Sequence, residues 1–272
     1  MRSTARKVFV LALLLTAWPL AGAQETKDVF QGDAAEQFLK KARIMRVTDI
    51  PVGVTQPQKV TLQQDGVTRM AAFKIIDVDK PGATQMADGT VAVAFQDTWR
   101  TEIAAYEIDK IIGLGMVPAT VERAIRGKVG SLQWWVESMM PEAERVKQGV
   151  APPDVEEWNH TNYKMRLFDR LIYNVDRHLN NILVTSDFDL RLIDHSRSFR
   201  PFDDLREPEG LTKFSRSLLA GIERLEFEDL KKRVGRHLRD GQIRAMLKRR
   251  DLILQLAKAR VDALGEAAVL YD

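Results

Sequence analysis

Asn174-Val175-Asp176-Arg177-His178-Leu179-Asn180-Asn181 runs into Ile182-Leu183-Val184-Thr185, then Ser186-Asp187-Phe188-Asp189, then Leu190-Arg191-Leu192-Ile193-Asp194-His195. Two apolar runs around a polar turn predict a β-hairpin. Pairing Thr185 with Leu190 and Ile182 with Ile193 sets Asn181 directly opposite Asp194. Residues opposed across antiparallel strands have Cβ atoms about 4.5–5.5 Å apart. An amide oxygen and a carboxylate at that spacing can share one hard cation such as Mg²⁺. Asp176 lies just upstream, on the loop entering the hairpin, where it could approach a substrate hydroxyl.

Working outward, the 272 residues suffice for two compact lobes. With 45% hydrophobic and 29% charged residues, the chain is neither disordered nor a polytopic membrane protein. The absence of cysteine excludes disulfides, thiolate metal sites and cysteine nucleophiles, and no G-x-S-x-G supports a serine nucleophile. Arg2, Arg6 and Lys7 are the only charged residues before Glu25, and striking them from the 41 basic residues leaves 38 against 38 acidic ones. A formally neutral remainder speaks against nucleic acid as a partner.

Those three cations precede the apolar run Val8–Leu20 and the small-x-small stretch Ala21-Gly22-Ala23, the pattern of a signal peptide spanning residues 1–23. The run is too short for a bilayer span, which needs about 20 residues. The expected location is outside the cytoplasm, in a bacterial periplasm or secreted, with no stable transmembrane anchor after cleavage. Residues 24–45 read as a polar lead-in with a short helical pattern. Residues 46–140 read as a β-rich lobe: Lys59–Gln64 and Val67–Ile76 flank the hairpin signal Asp65-Gly66, Val91–Phe95 and Leu132–Val136 read as strands, and Trp99–Ile112 has a helical period. Residues 141–272 read as a mainly helical lobe containing the hairpin. Its long helix opens at Asp154 with Glu157 behind it, and helices follow over 211–223, 227–238 and 240–264. The fold class is α+β in two lobes.

The motif Asp176-Arg177-His178-x-x-Asn181, followed by Ile193-Asp194-His195, resembles the catalytic and metal-binding loops of atypical kinases. It is similar to the phosphatidylinositol 3- and 4-kinase family, to the exported kinases related to four-jointed and the Golgi casein kinase, and to several bacterial kinase-like families. The Asp-to-Asn interval equals that of the ordinary protein-kinase loop, with Arg and His following the Asp instead of preceding it. The resemblance implies a two-lobed protein-kinase-like fold and transfer of the γ-phosphoryl group of ATP to an acceptor hydroxyl on a protein, lipid headgroup or small molecule. It makes Asp176 the catalytic base or hydroxyl-orienting group, and Asn181 and Asp194 the ligands of Mg²⁺ or Mn²⁺.

A kinase reading asks for a lysine in the first lobe, and Ala71-Ala72-Phe73-Lys74 ends the second hairpin strand. Alternation puts Lys74 on one face with Met70, Ala72 and Ile76, where an ammonium needs a partner. The α/β-phosphates of ATP and a helix glutamate would supply it. Glu102 is the candidate, with Glu107 and Glu122 as rivals. The phosphate-covering loop departs from the family pattern: Pro51–Pro57 carries one glycine, and the backbone of Gly53, Val54 and Thr55 is left to contact phosphate. Trp134–Met139 leads into the interlobe linker, where Glu137 and Met139 would meet adenine. The alternatives are an exported pseudokinase serving as a nucleotide-binding or regulatory module, and a metal-dependent phosphoesterase built on His178 and His195 with the two aspartates.

Overall fold

Ala35 and Leu39, four residues apart, form the buried stripe of α1 (Gly32–Lys41), the first element of a computed structural model that describes residues 30–50, 57–86 and 89–272. The signal-peptide reading and the phosphate-loop residues Gly53, Val54 and Thr55 lie outside the described residues. The chain continues into β1 (Arg43–Asp49), β2 (Gln58–Gln64) and β3 (Val67–Lys74). Asp65 and Gly66 take left-handed φ angles of 49° and 78°, which a two-residue hairpin turn requires, and Gln64 faces Val67.

A second, longer hairpin follows, β4 (Asp77–Gln85) and β5 (Val91–Thr98), as a two-stranded sheet of its own. The sequence pattern does not reveal β4, because Pro81 and Gly82 interrupt it; its register slips between Lys80 and Ala83, as bulges at such residues do. Next come α2 (Trp99–Ile112), β6 (Thr120–Ile125) and β7 (Lys128–Trp134), completing an antiparallel five-stranded sheet in the order β1-β2-β3-β7-β6. Thr98 caps the start of α2 by accepting from the Arg100 amide, and Gly113, at φ 74°, ends it. Val60, Leu62, Ala71, Phe73 and Leu132 form the buried face of the sheet, while Met70, Ala72 and Lys74 take the other side.

The strand Met140–Pro141 (β8) leads into α3 (Glu142–Gln148) and α4 (Val155–Leu171), which opens on Asp154 accepting from the Glu156 and Glu157 amides. Then β9 (Ile182–Val184) and β10 (Leu190–Leu192) form a small sheet with β8. The helices α5 (Arg216–Glu223), α6 (Phe227–Val234) and α7 (Asp240–Leu264) finish the helical part, before a short C-terminal turn of helix and strand. The architecture is α+β, with an antiparallel sheet first and helices second. Helix α5 starts five residues later than its periodicity suggests, because Phe214–Ser215 pairs with the C-terminal strand and Ser215 then caps the helix.

The β9–β10 register corrects the sequence reading. Leu190 faces Val184 and Leu192 faces Ile182, so Ile193, not Asp194, lies opposite Asn181, its amide donating to the Asn181 carbonyl at 3.1 Å. The cause is the turn: Thr185 and Asp189 close a three-residue loop in which Phe188 takes φ 62°. A left-handed third residue is the usual end of such loops, and the odd loop length slips the pairing by one residue. Asp194 lies beyond the ladder with φ 59°.

Candidate active site

Lys74 is the last residue of β3, and the strand is held close to β7 there: a Cβ on Gly130 would collide with the Lys74 carbonyl. Its side chain is only 11% exposed. The ammonium donates to Glu102 Oε1 at 2.6 Å and to Asp194 Oδ1 at 2.8 Å. Glu102 is buried on the first turn of α2, and its other oxygen accepts from the His195 amide at 3.0 Å. One carboxylate thus ties the lysine of the sheet to the backbone beside Asp194. The rival glutamates are engaged elsewhere, Glu107 with Lys110 and Arg233, Glu122 with Arg236.

Burial opposes charge on both partners and their mutual attraction overrides it. It would push the Glu102 carboxyl up, but Lys74 holds it well below the usual carboxylate range. It would pull Lys74 down, but Glu102 and Asp194 keep the ammonium above an ordinary lysine. Lys74 and Glu102 are therefore both charged at neutral pH.

Arg177 organises the loop that carries Asp176 and Asn181. Its guanidinium pairs with Asp169 of α4 at 3.0 Å, donates to the Asn181 carbonyl at 2.9 Å and the Ile193 carbonyl at 2.8 Å, and meets His195 Nε2 at 2.8 Å. One side chain clamps both strand ends that carry Asn181 and Asp194. Sequence reasoning gave Arg177 no role; the available signal was a buried-stripe helix carrying Asp169 eight residues before it. Because Arg177 can only donate, His195 Nε2 accepts and Nδ1 carries the proton. That Nδ1 lies 3.7 Å from Glu102, too far for a hydrogen bond. Burial lowers the His195 pKa and keeps the ring neutral.

Asp176 is half-buried, and its amide donates to Asn174 Oδ1 at 3.0 Å. Its carboxylate lies 3.4 Å from Arg197, which also pairs at 3.2 Å with Asp97, buried on β5. Asp97 and Arg197 are further site residues that sequence reasoning missed, since nothing in their spacing links positions 97, 176 and 197. Asn181 is 5% exposed. Both of its side-chain bonds use Nδ2, at 3.1 Å to the Asp176 carbonyl and 3.1 Å to His178 Nε2, which leaves Oδ1 unbonded. Asp194 likewise uses Oδ1 for Lys74 and for the Ser196 hydroxyl at 3.2 Å, leaving Oδ2. Two hard oxygen donors suit Mg²⁺, which takes few protein ligands and completes its shell with water and phosphate. Among the described residues no cluster of three or more His, Cys, Asp or Glu forms a metal cage, and both histidines of the phosphoesterase alternative are committed to loop hydrogen bonds.

On the linker, Glu137 and Met139 are exposed. The Met139 amide donates to the Val184 carbonyl at 2.9 Å, so that residue can offer a nucleotide its carbonyl and side chain but not its N–H.

No family model matches the sequence, and no curated protein does. Solved structures do match. That of hydra Fam20 with sugar superposes with a TM-score of 0.66 at 16% identity, covering 87% of this chain and 91% of the other. The Golgi casein kinase gives 0.59 at 16% identity, covering 87% and 78%. The Helicobacter pylori proinflammatory kinase CtkA gives 0.53 at 12% identity, covering 83% and 98%. The chain has a kinase-like fold. In that fold the Lys74–Glu102 pair lies between the sheet and its helix, and the Asp176–Asp194 block lies in the helical lobe. No helix of the described residues is long and apolar enough to cross a membrane.

Proposed function

We infer that the protein is an ATP-dependent phosphotransferase acting on an acceptor hydroxyl. The observation that carries this reading is the bonded chain Glu102–Lys74–Asp194, which unites sheet, helix and hairpin at one point. Lys74 steadies the α/β-phosphates and Glu102 positions Lys74. Asn181 Oδ1 and Asp194 Oδ2 hold the divalent ion, Mg²⁺ or Mn²⁺, which supplies charge neutralisation on the phosphates when bound. Asp176 accepts the acceptor's proton as the acceptor oxygen bonds to the γ-phosphorus. The bond from that phosphorus to the β,γ-bridging oxygen breaks, and its electron pair leaves with ADP. Phosphoryl transfer needs little more than positioning and charge stabilisation, and the ion-paired chain Glu102–Lys74–Asp194 supports both. Glu137, Met139 and the backbone of Gly53, Val54 and Thr55 are assigned to the nucleotide. The N-terminal sequence supports export to a periplasm or beyond.

The test is metal-dependent thermal stabilisation by ATP, followed by ADP release across an acceptor panel. Asp176→Asn should retain nucleotide binding and lose turnover by about 10²–10⁴-fold, the range for a removed general base. Stabilisation without ADP release over every acceptor would replace the enzyme with a nucleotide-binding regulatory module.

A further inference from the structure

Among the described residues, Arg197 is the one cation paired with Asp176, and its backbone is pinned on both sides. The Ser196 carbonyl accepts from the Thr98 amide at 3.0 Å, and the Ser198 amide donates to the His195 carbonyl at 3.0 Å. The Ser198 carbonyl accepts from the buried Gln96 side chain. From that fixed start the guanidinium reaches two carboxylates. Its Nε donates to Asp97 Oδ2 at 3.2 Å, Nη1 stands 3.4 Å from Asp176 Oδ2, and the Phe95 ring centre lies 5.8 Å from the guanidinium carbon. Asp97 is buried and its Oδ1 has no hydrogen-bond partner, so Arg197 is its sole counter-charge and Asp97 its anchor. The third nitrogen, Nη2, bonds to nothing among the described residues, and the side chain is 31% exposed.

Phosphoryl transfer spreads negative charge over three equatorial oxygens, and cations placed around them carry much of the catalysis. Lys74 is held between Glu102 and Asp194, and the divalent ion is assigned to Asn181 and Asp194. Arg177 is spent on Asp169 and two backbone carbonyls. That leaves Arg197 as the cation at the proposed base. A hydroxyl donating to Asp176 sits about 2.6–3.2 Å from that carboxylate, so the reacting oxygen and the guanidinium share one carboxylate. Once that oxygen bonds to phosphorus, the equatorial oxygens are one bond further on. A guanidinium fork suits tetrahedral oxyanions. It also stays protonated, so Arg197 does not compete with Asp176 for the proton.

We propose that Arg197 is a catalytic residue of the transfer: anchored by Asp97, its free Nη2 arm contacts the transferring phosphoryl group beside Asp176. The acceptor oxygen bonds to the γ-phosphorus and its proton passes to Asp176. The bond to the β,γ-bridging oxygen breaks with its electron pair leaving on ADP, and Arg197 stays protonated throughout. The role rests on the phosphotransferase reading, so binding and turnover are read separately. The full chain is followed by ADP release from ATP–Mn²⁺ with water as acceptor. A second readout is the thermal shift given by ADP–Mn²⁺ with aluminium fluoride, a mimic of the phosphoryl group in transfer. Arg197→Lys keeps a cation beside Asp97 and keeps the fold, yet loses about 10²–10³-fold in kcat, the scale of one donor removed from a developing anion. Its KM for ATP is unchanged. Arg197→Ala loses kcat likewise, and guanidinium chloride well below denaturing concentrations restores part of it, whereas Asp176→Asn is not rescued. Aluminium fluoride adds to the ADP–Mn²⁺ shift in wild type and in neither Arg197 variant. Wild-type kcat in Arg197→Lys, or an aluminium fluoride shift in both variants equal to that of wild type, overturns the role and leaves the phosphotransferase standing. A wild-type chain that releases no ADP, with water or any other acceptor, removes the phosphotransferase and the role of Arg197 with it.

Discussion

The Lys74 ammonium stands 2.8 Å from Asp194, a residue 120 positions further along the chain, and 2.6 Å from Glu102 on the intervening helix. These three residues carry the site's charge balance, and each has a distinguishable part. Glu102→Gln keeps the shape of the side chain and leaves Lys74 with Asp194 alone. The expected result is a folded protein with weaker ATP stabilisation and turnover reduced by at least tenfold. Asp194→Ala should abolish the metal dependence of nucleotide binding. Equal ATP affinity with and without Mn²⁺ in wild type would contradict the assignment.

Arg197 holds Asp176 and Asp97 together, joining the loop before β9 to the β4–β5 hairpin. Arg197→Ala frees both carboxylates and leaves Asp97, buried at 3% exposure, without its cation. Losing one partner of a buried pair costs about 3–5 kcal/mol; with Arg197 31% exposed, the loss should fall near the lower end. Denaturant unfolding measures it, and Arg197→Lys should recover part. An unchanged midpoint in Arg197→Ala would show that the hairpin does not depend on this bridge.

Gly130 stands where any Cβ meets the Lys74 carbonyl. Gly130→Ala must push β7 away from the end of β3, at a cost of about 1–3 kcal/mol for overpacking. Because the displaced backbone carries Lys74, ATP binding should weaken as well. Gly127→Ala, on the neighbouring turn, has open space around it but φ 77°, so it should cost stability without touching nucleotide affinity.

Stability should decline on the acid side of neutrality. Burial lowers the His195 pKa in the folded protein, while the unfolded chain has a histidine near 6.5. The unfolded state therefore binds more protons below about pH 6.5, and the contribution present above that value is lost as pH falls. His237, also lowered by burial, acts in the same direction. Below about pH 4.3 the depressed Glu102 adds its own loss. Melting temperatures between pH 7.5 and 5 check the histidine part, and His195→Gln should flatten that slope; a slope identical to wild type would assign it elsewhere.

Local chemistry was legible wherever a segment's structure depends on its own residues. Helix α2 begins and ends where Trp99–Ile112 and Gly113 indicate, the Asp65-Gly66 turn forms, and Asp154 caps α4, because caps, turns and period act over a few residues. The β9–β10 register was not legible. A four-residue and a three-residue loop fit the same sequence, and only the left-handed Phe188 distinguishes them. Strand β4 was hidden for a similar reason, since Pro81 and Gly82 interrupt a pattern that pairing with β5 sustains.

The amino-acid order by itself determined which chemical groups were available: a lysine closing a strand, a glutamate opening a helix, and an aspartate–asparagine–aspartate series around a hairpin. Folding decided which of them meet. Glu102 was selected over Glu107 and Glu122 by burial against Lys74, and Arg177, Arg197 and Asp97 gained their roles only through partners remote in sequence. Short-range forces are written in neighbouring residues, whereas an ion pair between a sheet and a loop exists only once the packed core has brought them within a few ångströms.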